Sequence, residues 1–491
     1  MRSFSGVPDS SVAARLDRLP ITRLHKRFAG VMALGNFFEI YELFLAGVLA
    51  TTLKATFALG GFELSLVLAS AFVGAFVGAV VIGRLADRVG RRAAYMVTLT
   101  LYSAATLACA LAPDLWTLVI FRFVAGIGLG GELPVTDSFL GDILPPARRG
   151  YYVAWAFTGG YLAVPAVGFL GLVLVDGAPL GVAGWRWMFA IGSLGALLTF
   201  LVRRGLPESP RWLESVGRTA EADAVTSRFE KAAEAEGWTP PAVSSDESER
   251  RDVAAEPVPV RAIFRRPLAR RTVIMAILWI LAPVGFYGFG NLATLVLADK
   301  GFDLGTSLTY LTFSFIGYPL GSYLSMLIME RAERKWILSA SLVGMAVCGL
   351  VYGNARSAAA VIASGFCFTV VANVMSNSGH IYQLEQFPTS VRTTATGWLY
   401  SLSRLSTAAA PFYLVPLLDA YGAAVAFTVV AAAMLLAAVS IVFGVRTTGL
   451  GLESISAPVR AAVAEPDAPA GATSPARPAA FPVPVIPENT H

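Results

Sequence analysis

Twelve stretches of about twenty mainly apolar residues, separated by short loops, constrain this chain more than any other feature. A run of that length is what an α-helix needs to cross bilayer hydrocarbon, where backbone hydrogen bonds must be satisfied within the segment. The stretches begin near Phe28, Phe62, Ala93, Leu115, Tyr151, Trp185, Thr272, Leu304, Trp336, Ser357, Thr393 and Tyr421. Hydrophobic residues make up 55% of the chain and charged ones only 14%, against roughly 25% charged in a soluble domain. The fold class expected is therefore an all-α polytopic membrane protein. A net charge of +5 is also found in nucleic-acid-binding chains, but here the basic residues lie in short loops between apolar runs. Loops on one side hold little beyond Lys54, Lys300 and Arg356, with Arg186 at a boundary, and the other side holds nearly all the rest. Basic loops stay in the cytoplasm, so both termini are expected there and the spans should be even in number, in a multi-pass protein of the plasma (inner) membrane. The first 27 residues carry Arg15, Arg18, Arg23, Lys26 and Arg27 without an apolar core, so no removable signal is expected.

Two loops recur at one gapless offset of 243 residues (330 minus 87). Asp87, Arg88, Arg91 and Arg92 fall on Glu330, Arg331, Arg334 and Lys335, while Asp142, Pro145 and Arg149 fall on Glu385, Pro388 and Arg392. The chain is thus read as a duplication: a tail (1–27), a six-helix half (28–204), a linker (205–270), a second six-helix half (271–446) and a tail (447–491). Repeated halves with a site between them near the membrane midplane are an architecture of secondary transporters. In the linker, Ser209-Pro210 reads as a helix cap and first helical position, and Arg211 to Glu236 is helical in pattern. Thr239 to Pro259 and the Pro/Ala-rich tail have disordered compositions.

The loop Gly83 to Arg92 (GRLADRVGRR) resembles, in its Gly83, Asp87, Arg88, Gly90, Arg91 and Arg92, the loop between the second and third helices of the major facilitator superfamily. Arg122 to Glu132 (RFVAGIGLGGE), Pro207 to Leu213 (PESPRWL) and Glu385 to Arg392 (EQFPTSVR) resemble its sugar porter and metabolite-proton symporter branch. The resemblance covers about Phe28 to Arg446 and implies twelve helices and alternating access; no nucleophile and base pair stands out, so no enzymatic activity is expected. The seventh span shows Pro283-Val284-Gly285-Phe286-Tyr287 where a sugar porter would carry paired glutamines. That departure turns the expected solute from a sugar towards an aromatic, nicotinate-like or other carboxylic acid.

In the first span Glu39 and Glu42 lie three residues apart, on one helical face near mid-membrane. A carboxylate there is costly and is paired, water-facing or protonated. Arg122 of the fourth span is the natural partner, and the resemblance places Glu42 and Arg122 on an acid and an arginine of the family. Glu42 is therefore the expected proton site and Glu39 the second choice. Gly126, Gly128, Gly130 and Gly131, with Gly74 and Gly78, suit close helix packing. Glu132 and Asp137 are expected to join the loop charges. Arg404, about midway through the eleventh span, has no acid within a turn or two and reads as unpaired, with a fork that fits a carboxylate. Tyr287, Asn291, Asn377 and Tyr400 are expected beside it, while His380 reads as a packing residue. Asp87, Arg88, Arg91, Arg92, Asp142 and Arg149, with Glu330, Arg331, Glu385 and Arg392, are expected to form a gate that latches the halves at the cytoplasmic face.

These features point to a monomeric secondary transporter of a small organic anion with protons. The three cysteines and the rest of the chain show no metal spacing, no cofactor motif and no GxxxxGK loop, so neither cofactor, metal nor ATP is expected. A neutral-sugar carrier, a drug exporter of the same fold and a solute sensor remain open alternatives.

Overall fold

The structure, a computed structural model, describes residues 11–239, 263–264, 268–329, 331–387 and 389–446. Glu330, Pro388, the tail after 446 and nearly all of the Thr239–Pro259 stretch lie outside the described residues, as do the side chains of Asp87 and Arg392.

Six spans precede the linker: Arg23–Thr56, Gly61–Val89, Arg91–Ala110, Leu115–Ile143, the pair Pro146–Tyr161 and Ala163–Leu174, and Gly184–Arg203. After it come Leu268–Asp299, the pair Leu304–Phe315 and Gly317–Ile328, Arg334–Asn354, Ala358–Gln386, and one continuous helical run, Thr389–Val442. That last run turns back at Gly422, whose φ of 76° suits only glycine well, and so supplies the eleventh and twelfth spans. The fifth and eighth spans break for a common reason. A proline has no N–H for the carbonyl four residues earlier; Pro165 releases Tyr161, and Pro319 releases Phe315, where the first helix of each pair ends. In the linker, Pro210–Ser215 begins at Ser209, whose hydroxyl accepts the Trp212 N–H as the cap-proline pattern predicts.

The 243-residue repeat is visible in packing as well as in loop sequence. The fourth span (Leu115–Ile143) and the tenth (Ala358–Gln386) start and end 243 residues apart, capped by Asp114 and Ser357. A Cβ on Gly74 or Gly78 would strike the carbonyl oxygens of Phe123 and Ile127; on Gly317 or Gly321 it would strike those of Phe366 and Val370, the repeat equivalents. Glycine therefore lets the second span lie against the fourth, and the eighth against the tenth, backbone to backbone. Gly126 and Gly130 complete the first contact, a Cβ on each meeting the carbonyls of Ala71 and Ala75.

The halves meet at the face opposite the termini. Thr294 Oγ1 donates to Gly47 O (2.8 Å), Ser65 Oγ donates to Pro411 O (3.0 Å), and Lys54 pairs with Asp419 (3.2 Å). Thr158 and Ser322 join the fifth and eighth spans at 2.7 Å. Between these contacts and the terminal face the halves enclose a cavity.

Candidate functional site

Pro283 leaves the seventh span without one backbone bond beside the cavity. Trp279, Phe286 and Tyr287 of that span line it, with Glu39 and Phe44 from the first, Phe157 and Tyr161 from the fifth, Ser376 and His380 from the tenth, and Tyr400 from the eleventh. The walls are mostly aromatic, with edge-on ring contacts such as Phe286 to Tyr287 at 5.0 Å. His380 tilts against Trp279 at 4.9 Å. Its ring packs there, and the residue also lines the cavity.

Glu39 and Glu42 turn to different partners. Glu42 Oε1 lies 3.3 Å from Arg122 Nη1, both side chains fully buried within the N-terminal half. Arg122 Nε also donates to Val67 O at 3.1 Å, which ties the pair to the second span. Glu39 crosses to the other half, its Oε1 lying 3.8 Å from Arg404 Nη2, with exposures of 1% and 2%. The expectation of an unpaired Arg404 is therefore corrected, because the acid comes from a different span and spacing along one helix could not reveal it. Arg404 also donates to the hydroxyls of Tyr287 (3.2 Å) and Tyr400, and lies over the Tyr400 ring at 4.8 Å. Glu39, Tyr287 and Tyr400 all line the cavity. Together they stand between the guanidinium and the cavity space.

Two other candidates are placed in helix contacts. Asn377 Nδ2 donates to Ser322 Oγ (3.2 Å) and Ser325 Oγ (2.7 Å), linking the tenth span to the eighth. Asn291 is buried where the seventh span meets the first, its Cα close to Gly47. Glu132 also departs from expectation: it is buried and paired with Arg203, which lies over the Tyr95 ring at 4.5 Å. A small chamber inside the N-terminal half runs from this carboxylate to Glu39, walled by Gly35, Thr98, Tyr102 and Gly128. Arg203, Trp279 and Tyr161 were not among the sequence candidates, since an arginine near a span end and aromatics in apolar runs carry no distinguishing signal.

At the terminal face the repeat places the same ion pair in each half: Arg91 Nε to Asp142 Oδ2 at 3.5 Å, and Arg334 Nη1 to Glu385 Oε1 at 2.9 Å. The described contacts of the first loop run within its own half and to the linker. Glu208 accepts the backbone N–H groups of Arg91 (2.8 Å) and Arg92 (3.1 Å), Arg92 Nη2 donates to Arg204 O (2.7 Å), and Ser209 Oγ donates to Asp142 Oδ2 (2.6 Å). Arg149 donates to Leu144 O (3.1 Å) and lies 3.8 Å from Asp17, while Arg88 and Arg331 are exposed. Glu208, in the PESPRWL stretch, was missed as a site residue. Its position just before a capped helix start was the available signal.

A model of the sugar (and other) transporter family matches residues 28–458. The chain belongs to that family. It is 34% identical over 403 residues to YyaJ of Bacillus subtilis, described as a candidate metabolite transport protein, covering 81% of this chain and 87% of the relative. Identity to the niacin transporter NiaP of Acinetobacter baylyi is 29% over 90% of this chain and 99% of that protein, and to the gentisate transporter of Corynebacterium glutamicum 27% over 83% and 85%. The fold matches that of the xylose transporter XylE of Escherichia coli in a partially occluded inward-open conformation, with a TM-score of 0.70 at 20% identity, over 87% of this chain and 99% of XylE. This membrane protein is thus a transporter, not an enzyme.

Proposed function

We propose that this transporter moves a small organic anion, of the aromatic or nicotinate-like acid class, together with protons by alternating access. The observation that carries the reading is Arg404, a buried guanidinium at the interface of the halves, set behind two tyrosines in an aromatic-walled cavity. A guanidinium fork suits a carboxylate, and flat aromatic walls suit a ring. The names of two relatives, a niacin and a gentisate transporter, support the same class. The buried Glu42–Arg122 pair serves proton coupling: a helix movement that parts it leaves Glu42 free to take a proton. The terminal face is cytoplasmic in a plasma-membrane monomer, and the Arg91–Asp142 and Arg334–Glu385 pairs brace each half where the gate opens.

Labelled nicotinate, gentisate, benzoate and xylose offered to proteoliposomes at two pH values test the reading. Saturable uptake of at least one acid, stronger with acid outside, is expected. Uptake of xylose with none of the acids would overturn it.

A second reading rests on the Glu39–Arg404 contact: the pair could simply hold the halves together, with a neutral solute bound by the aromatic walls. Discrimination between an acid and its amide separates the two.

A further inference from the structure

We propose that Glu39 occupies the anion site of the empty carrier and leaves it as a neutral acid when a solute carboxylate takes Arg404, so that each anion bound takes up one proton. This rests on the organic-anion reading above and deepens it by saying how binding and protonation are linked.

The geometry is that of a site already filled by an internal carboxylate. Arg404 is 2% exposed, and its Nη2 lies 3.8 Å from Glu39 Oε1 while its other contacts go to Tyr287 and Tyr400. A solute carboxylate that takes the Nη2 side of the guanidinium therefore stands where Glu39 now stands. Neither oxygen of Glu39 has a hydrogen-bond partner, and the Nε of Arg404 has none either. The 3.8 Å contact to Arg404 is the one described ion pair of this carboxylate, and Arg404 keeps a donor for a better-fitting anion.

The groups around Glu39 determine what happens when it is displaced. On the cavity side it faces Arg404, with Tyr161, Tyr287, His380 and Tyr400 lining the same cavity; on the other it borders the chamber walled by Thr98 and Tyr102 and closed by Glu132, which is paired with Arg203. Asp137 lies further along the same fourth span. Arg203 is already matched by Glu132, so the chamber holds no spare cation among these groups. An ionised Glu39 turned away from Arg404 would face Glu132 in a buried space, next to a second anion at Arg404. Two carboxylates sharing one cation cannot both stay ionised at low dielectric, and one takes a proton. The solute keeps its charge because it now has the two-pronged contact. Charge balances: one guanidinium and one carboxylate before, one guanidinium, one solute carboxylate and one neutral acid after. Glu132 Oε2, buried and without a hydrogen-bond partner, faces this chamber and is placed to accept the acid's proton in a hydrogen bond.

Proton uptake on binding is measured directly. The purified full chain in detergent is titrated with nicotinate between pH 6 and 8, where nicotinate stays a carboxylate, and the Kd is followed against pH. Wild type should bind about tenfold more weakly per pH unit on the alkaline side, since one proton is taken up per anion. Glu39→Gln should bind with a flat profile, and Glu39→Asp, which titrates but reaches less far, should restore a slope. Nicotinamide should bind without pH dependence to all three. Wild type that binds nicotinate with a flat profile would refute the linkage and leave the anion site standing. A slope that survives Glu39→Gln would assign the proton to another group and refute the role of Glu39. Failure of wild type and Glu39→Gln alike to bind nicotinate, gentisate or benzoate would refute both the anion site and this inference.

Discussion

Replacing Arg404 by lysine keeps the charge at the site and removes its shape. The guanidinium spans three directions at once, to Tyr287 at 3.2 Å, to Tyr400 and to Glu39 at 3.8 Å. An ammonium is a point donor and cannot hold both tyrosines while offering two parallel N–H groups to a carboxylate. The acid therefore loses one prong of a charge-assisted contact, worth about 1.5–3 kcal/mol, or about 10- to 150-fold in affinity. Since Glu39 is also held less well by the ammonium and competes less, the lower part of that range is expected. An amide analogue never used the second prong and should weaken about threefold or less, on the order of 0.6 kcal/mol. Binding isotherms of nicotinate and nicotinamide on wild type and Arg404→Lys provide the comparison. Equal losses for acid and amide would mean that Arg404 holds helices rather than solute.

Other outcomes follow from the same geometry. Glu42→Gln should weaken the accumulation driven by a pH gradient to what the one proton taken up at Glu39 supports, while preserving counterflow exchange; accumulation equal to wild type would remove Glu42 from coupling. Gly130→Leu should lower thermal stability by about 1–3 kcal/mol or prevent folding, because its side chain would enter the Ala75 carbonyl of the second span; a wild-type melting curve would contradict that packing. Asp114, at the start of the fourth span, accepts from the N–H and hydroxyl of Thr117 (both 2.9 Å), and these bonds hold its carboxyl below the ordinary 3.8. A depressed folded-state pKa gives a contribution present above about pH 4 and lost as pH falls through the folded value. The stability advantage of wild type over Asp114→Asn should therefore shrink between pH 5 and 2.5, and a constant difference in detergent melts would refute it.

Fold was legible in the sequence wherever one physical requirement acted locally. Span length gave the helices, Ser209-Pro210 gave the start of the linker helix, and the 243-residue repeat of loop charges matches the observed Arg91–Asp142 and Arg334–Glu385 pairs. The Glu42–Arg122 contact was also accessible, since both residues lie near mid-membrane and each needs a partner there. The Glu39–Arg404 contact was not, because it forms between halves and depends on how the spans are rotated. The same limit explains Asn377, whose amide finds serines on the eighth span rather than the cavity, and Glu132, whose partner Arg203 sits on a helix distant in sequence. Helical periodicity says which residues share a face. It does not say which other helix that face will meet.

Whether anion and proton cross together is tested most directly by a pH-sensitive dye sealed inside proteoliposomes, with an inward gradient of nicotinate or gentisate and no imposed pH gradient. The account predicts that the lumen acidifies as the acid enters wild-type vesicles. Saturable entry of the acid into wild-type vesicles at constant lumenal pH would contradict it.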